Sequence, residues 1–288
     1  MKHLHRIASV GLIIIAASCA STMPATHNEA ERASVKVLTP DQVNYIPLNP
    51  ARGDSSPQAG VLWGDIRNDQ ASGVLLRFAD GFSSPPHIHN ITYRGLVISG
   101  ELHNDDPDAA IQWMGTGSFW TQPAGENHIT AARPGRGATA FLEILSGPYL
   151  VQPPAEQFDN GERPINLQSS NIVWMGAEDF NWISASAATE GGAEVALLWG
   201  DLDAGSPSGA FVKLPANFSG SILTNGGDLK AVVVEGDLVH SVASVTDEQT
   251  IGAGGYFESA EGISHALTCE PDQDCIIYVR SNGKFEVR

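Results

Sequence analysis

Between residues 60 and 147 the chain sets short apolar runs, Gly73 to Phe78, Tyr93 to Ile98 and Ala138 to Leu145, between clusters of Gly, Pro, Asp and Asn. Runs of that length bounded by turn formers predict β-strands. No segment carries an apolar stripe of helical period beyond about three turns. The predicted class is therefore all-β, a sandwich or small barrel built from many short strands.

The same pattern returns later in the chain. Leu62-Trp63-Gly64-Asp65 matches Leu198-Trp199-Gly200-Asp201, and Gly73, Arg77 and Phe82 match Gly209, Lys213 and Phe218. Val97 to Leu102 matches Val233 to Leu238. After one added residue, Gly117, Phe119, Trp120, Gly125 and His128 fall on Gly254, Tyr256, Phe257, Gly262 and His265. A repeat of this period sets the domain count. It predicts an N-terminal barrel over 41–151, a linker over 152–168 rich in Pro, Asn and Glu, and a C-terminal barrel over 169–288.

The first 20 residues depart from this pattern: Lys2 and Arg6 precede an apolar run from Ile7 to Ala17 that ends in small residues. That is the layout of a secretory signal, too short for a stable membrane span. Cys19 stands where a lipoprotein signal would carry its lipidated cysteine, with Ala16 in place of the usual leucine. Lipidation at Cys19, giving a membrane tether, and cleavage after Ala20 are both open, and both place the protein in the periplasm or at the cell envelope. Residues 21–40 read as a flexible polar tether. Cys269 and Cys275 flank a turn-like stretch and suit a disulfide in an oxidising compartment.

Among the 288 residues, 33 acidic against 16 basic side chains give a formal net charge of -17, which disfavours nucleic acid and anionic lipid and leaves a small-molecule substrate or ligand as the expected partner. No phosphate loop, nucleophile elbow or reactive-cysteine pattern is present. The candidate chemistry lies in Gly81 to Tyr93, where His87, His89 and Tyr93 share one face of a strand. A third imidazole is offered by His128, just after Pro123-Ala124-Gly125. Three neutral imidazoles suit one divalent transition metal, zinc or iron foremost, and argue against magnesium or calcium. Trp113, Trp120 and Phe141 are candidates to line an apolar pocket. Glu143, inside an apolar run, is read as an outward-facing charge or as an acceptor for a ligand imidazole. Arg77 and Lys213, at equivalent positions, are read as structural.

These stretches resemble the paired motifs of the cupin superfamily: Gly, five residues, His-x-His, then Gly, followed by Gly, five residues, Pro-x-Gly, two residues, His. The resemblance implies two tandem jelly-roll barrels, with His87, His89 and His128 as metal ligands. Tyr93 stands where the motif has its glutamate, as in three-histidine cupins, among which diketone-cleaving iron dioxygenases occur. As a catalytic candidate, Tyr93 could ligate as a phenolate or donate to a metal-bound oxygen. Filling the barrel is its other reading. The duplicated layout also resembles two-cupin proteins related to the cupin domain of ChrR-type anti-sigma factors, and cupins often form homodimers.

The C-terminal repeat keeps the scaffold but places Leu223, Asn225 and Leu229 at the positions of His87, His89 and Tyr93. His265 remains, expected as a satisfied core or rim residue, and no ligand geometry follows for His103 or His240. Three functions are open at this point: a metal-dependent oxygenase or hydrolase, a non-catalytic binding or sensing module, and an envelope protein with a vestigial site.

Overall fold

The computed structural model describes residues 34–183, 192–201, 205–243 and 245–288; the predicted signal, Cys19 and most of the predicted tether lie outside the described residues. Nearly all regular structure within them is antiparallel β, with 3-10 segments at Pro50–Ser55, kinked at Gly53, and at Pro154–Glu156 and Ser169–Asn171.

Each repeat folds around a large sheet with the same strand order. In the N-terminal repeat it runs Ile165–Leu167, Phe119–Gln122, Tyr93–Ser99, Ala138–Ile144, Ser72–Phe78, Gln58–Trp63, Tyr45–Pro47. In the C-terminal repeat it runs Lys36–Leu38, Tyr256–Ser259, Leu229–Glu235, Cys275–Asn282, Pro207–Leu214, Glu194–Trp199. Even the irregularities coincide, with register shifts between Val61 and Trp63 and between Leu197 and Trp199. Such bulges bend a sheet at a defined point.

The edge strands are exchanged. Lys36–Leu38 precedes the N-terminal repeat, yet it pairs with Tyr256–Ser259 of the C-terminal sheet, Leu38 opposite Tyr256. Ile165–Leu167 precedes the C-terminal repeat, yet it pairs with Phe119–Gln122, Leu167 opposite Phe119. Residues 36–38, at the end of the stretch read as tether, and 165–167, within the stretch read as linker, thus lie in strands. Each arm caps the exposed edge of the other repeat's sheet, where unpaired N–H and C=O groups would otherwise face solvent.

Period-two alternation explains why the central strands read as unbroken apolar runs. Along Ala138–Ile144, Ala138, Ala140, Leu142 and Ile144 enter the N-terminal barrel core, while Phe141 turns the other way, into a cluster with Phe211, Val232 and Tyr278 of the C-terminal repeat. The large sheets thus pack face to face, each buried on both sides. Glu143 lies on that shared face, 1% exposed, accepting from Arg280 Nε at 2.9 Å and from the Tyr278 hydroxyl at 2.7 Å. It is neither outward-facing nor near the histidines. Burial raises its pKa and Arg280 opposes the rise, so the carboxylate is retained by its partners.

The smaller sheets differ. The C-terminal repeat has a continuous one: Thr246–Ile251, Leu238–Val242, His265–Cys269, Ser219–Thr224, Phe285–Val287. In the N-terminal repeat the corresponding layer is split into Leu102–Asp105 with Ile129–Ala132 and Ile88–His89 with Val151–Gln152, bridged at Ser83 to Ala131 and at His87 to His128. Pro85 and Pro86 stand in the gap and have no N–H to give a ladder. Cys269 and Cys275 are bonded as a disulfide, Cα to Cα 6.0 Å, across the loop that leads from His265–Cys269 of the smaller sheet to Cys275–Asn282 of the larger one.

Candidate metal centre

The gap in the smaller sheet is where the histidines meet. His87 and His128 face each other as a hydrogen-bonded antiparallel pair, each backbone N–H donating to the other's carbonyl at 3.0 Å. Directly opposed residues put their side chains on one face of a sheet. His89, two residues on, returns to that face, and its carbonyl accepts from Gly125 N–H at 2.8 Å. Gly125 has φ +77°, and a Cβ there would meet the Phe158 carbonyl at 2.3 Å, so the turn before His128 needs glycine.

One potential ligand atom from each of His87, His89 and His128 lies within 4.8 Å of the others. Each ring turns its Nδ1 to a backbone carbonyl. Nδ1 of His87 bonds the Pro85 carbonyl at 2.9 Å, Nδ1 of His89 the Leu150 carbonyl at 2.9 Å, and Nδ1 of His128 the Glu126 carbonyl at 3.1 Å. A carbonyl only accepts, so each Nδ1 carries the proton and each Nε2 presents a lone pair to the common centre. This is the outer hydrogen-bonding pattern that aims ligating imidazoles. Burial holds all three below the usual histidine pKa, His128 at about 3, and keeps them in the neutral form that ligates. His89 and His128 are buried, and His87 is partly open to the cavity beside it. The set fits a divalent transition metal.

Two phenols complete the centre. The Tyr93 hydroxyl donates to Asn104 Oδ1 at 2.9 Å and lies 3.2 Å from His128 Nε2, so it points into the site rather than merely filling core. The Tyr149 hydroxyl is 3.0 Å from His89 Nε2, and its ring stacks on that imidazole with centroids 4.2 Å apart. Burial pushes both phenols above their usual pKa, so each keeps its proton. Asn104 is fixed in turn by Gln122, whose Oε1 it donates to at 2.8 Å, and by the Thr130 hydroxyl at 2.7 Å. Sequence reading missed Tyr149, Asn104 and Gln122. Tyr149 sits beyond the motif in the loop after Gly147-Pro148, and the alternation of Leu102–Asp105 could have shown that Asn104, not His103, faces inward.

The centre forms one wall of a cavity of about 360 Å³, within the range of small-molecule sites. Leu48, Leu76, Phe78, Phe82, Trp120 and Leu142 give it an apolar lining. Trp120 is therefore placed as expected, whereas Phe141 lies between the repeats and Trp113 packs beside the ring of His103 on the outer face. Arg77 stacks on Tyr45 with its guanidinium carbon 3.7 Å from the ring centre, and Lys213 pairs with Glu194 over Trp174, as suits structural roles.

In the C-terminal repeat, strand pairing puts Ile222, not Leu223, opposite His265. His240 occupies the place of Asn104, and its Nε2 lies 2.8 Å from His265 Nδ1. Nε2 of His265 is 2.8 Å from the Ser259 hydroxyl, so both of its nitrogens are engaged and it is a satisfied core residue.

A family model described as DUF4437, domain of unknown function, matches residues 36–288. No curated protein matches the sequence. Among solved structures, a dioxygenase candidate from Nostoc punctiforme PCC 73102 is similar at TM-score 0.64 and 14% identity, covering 87% of this chain and 83% of that one. Salicylate 1,2-dioxygenase from Pseudoaminobacter salicylatoxidans is similar at TM-score 0.56 and 13% identity, covering 91% and 83%. Oxalate decarboxylase from Lactobacillus farciminis is similar at TM-score 0.55 and 11% identity, covering 88% and 87%. These likenesses establish the cupin fold.

Proposed function

The chain belongs to the DUF4437 family, and we propose that it is an exported bicupin metalloenzyme, dioxygenase-like, working on small molecules at the N-terminal three-histidine centre. The observation that carries this reading is the convergence of three imidazoles, each held by a backbone carbonyl at Nδ1, on the wall of an apolar cavity. The fold neighbours described as dioxygenases support it. Export is supported by Lys2, Arg6 and the apolar run after them, and by the Cys269–Cys275 disulfide, which suits an oxidising compartment.

His87, His89 and His128 would hold the ion. An iron ion bound there would supply open coordination positions and electrons for dioxygen chemistry, and with no carboxylate ligand its charge is left for substrate oxygens to balance. The chain's own groups do the rest. Leu76, Phe78, Trp120 and Leu142 hold the substrate's apolar part and keep water out. With His89 Nε2 engaged by the ion, the Tyr149 hydroxyl has a proton to donate to a substrate oxygen. Tyr93, whose one proton goes to Asn104 Oδ1, sets its hydroxyl oxygen beside His128 as an acceptor. Both remain protonated at neutral pH, so neither serves as a base.

Elemental analysis of the purified mature protein, followed by oxygen uptake with acetylacetone and related diketones, tests the reading. Bound iron with uptake that disappears in His128→Ala is the expected result. Bound zinc without oxygen uptake would shift the assignment to hydrolysis. Bound metal without turnover would favour the sensing role that the ChrR-type resemblance implies. Protein purified without metal that also fails to bind added iron or zinc overturns the proposal.

A further inference from the structure

The mouth of the cavity carries a feature the metal centre does not explain. Arg52 lines it, on the 3-10 turn Pro50–Ser55, and it is the one lysine or arginine among the lining residues; no aspartate or glutamate is among them. In a chain of net charge -17, a cavity without a carboxylate is a local reversal of sign. Asn49 Oδ1, the Ser56 hydroxyl and the Thr130 hydroxyl at this mouth are held by bonds within the protein. The Asn49 side chain caps Ala51 N–H, the Ser56 hydroxyl accepts from Asn49 N–H and donates to the Pro57 carbonyl, the Ser84 hydroxyl accepts from Thr130 N–H, and the Thr130 hydroxyl donates to Asn104. The Arg52 guanidinium has none of these attachments. Its side chain lies over the face of Phe82, 5.9 Å from the ring centre, and Phe82 also lines the cavity.

We propose that Arg52 is a specificity-determining residue that binds the carboxylate of the substrate, so that the ligand of this cavity is an apolar organic acid lying between Arg52 and the histidine centre. The substrate class rests on the metal-centre reading given above, but the carboxylate contact itself does not need the ion. A guanidinium offers paired N–H donors matching the two oxygens of a carboxylate. The wall between the two ends, Phe78, Phe82, Trp120 and Leu142, takes an aromatic or branched body. Pro50 at the start of the turn and the cap from Asn49 hold the arginine's backbone in place.

The test compares acids with their own uncharged amides: benzoate, phenylacetate and 3-phenylpropionate against the three primary amides, by titration calorimetry on the wild type and on Arg52→Gln and Arg52→Lys. The wild type is expected to bind at least one acid roughly tenfold or more tighter than its amide, the usual worth of a charge-assisted pair. Arg52→Gln should bring acid and amide to similar affinity with bound metal unchanged, and Arg52→Lys should retain part of the preference. Equal affinity of acid and amide in the wild type, a preference that persists in Arg52→Gln, or no binding by any acid overturns the proposal. Metal content, measured on the same samples, reports separately on the metal-centre reading. If no ion is bound, that reading fails, and the acid preference still reads the role of Arg52.

Discussion

The two repeats share strand order, bulges and exchanged edge strands, yet one encloses a candidate centre and the other a closed core. In the N-terminal repeat Pro85 and Pro86 interrupt the smaller sheet, His87 and His128 face each other across the gap, and a cavity opens beside them. In the C-terminal repeat Ser221 and Ile222 continue the ladder, opposite Ala266 and His265. Ile222 and Leu229 fill the interior where His87 and Tyr93 stand in the other barrel. The histidine kept by both shows the difference best. His128 gives Nδ1 to a backbone carbonyl and leaves Nε2 toward the site, whereas both nitrogens of His265 are taken, by His240 and Ser259. A jelly roll therefore becomes a metal site less by gaining one residue than by turning several imidazole Nε2 atoms, met only by tyrosine hydroxyls, to one point beside a break in a sheet.

The sharpest way to break that comparison is to remove the shared histidine from each side. His128→Ala should take bound metal from about one ion per chain to background, since two imidazoles in an apolar wall hold a transition metal poorly. His265→Ala should leave metal content per folded chain unchanged. Elemental analysis of both proteins checks this, and metal loss in His265→Ala would mean that the two interiors are not separate.

A second comparison concerns what joins the repeats. Glu143 of one and Arg280 of the other are both buried, and removing one partner strands the other charge. Glu143→Leu should cost about 3–5 kcal/mol in denaturant unfolding, while Glu143→Leu with Arg280→Met should recover most of it. Coincident unfolding of both repeats in the wild type and two separated transitions in Glu143→Leu would show that this contact couples them. A cost below about 1 kcal/mol for the single variant would show that water reaches the pair.

The parts of this arrangement that depend on local pattern were legible in the chain. The repeat, the three histidines, the disulfide and the structural roles of Arg77 and Lys213 follow from spacing and composition. What depends on long-range pairing was not. Lys36–Leu38 and Ile165–Leu167 are three residues each, too short for a period to show, and nothing local says that each joins the other repeat. Glu143 reads as a surface charge because its partners lie in the other repeat, far along the chain. Alignment set Leu223 on His87, but a strand can slip by one residue without changing its composition, and pairing put Ile222 there instead. Tyr149 and Asn104 carry no motif, and only the fold brings them to the histidines.

The smallest effect concerns the closed interior. His240 and His265 are buried as neutral imidazoles, with burial lowering their pKa values from 6.5 to about 4 and about 3 and each ring's approach to the other adding to the shift of His265. The sign follows from which state takes up protons. Above about pH 6.5 neither folded nor unfolded chain protonates these rings, and their burial costs nothing in charge. Below it the unfolded chain gains protons that the folded chain refuses, so stability falls as pH drops toward the folded values. Each histidine should contribute a slope of about 1.4 kcal/mol per pH unit in that window. His240→Asn installs the residue that the N-terminal repeat has at this place and should remove about half of that pair's slope, which urea midpoints measured between about pH 6.5 and about pH 4.5 would read. An unchanged slope in His240→Asn would mean that acid enters through the N-terminal histidines instead, and would locate the weaker interior in the barrel that opens to the cavity.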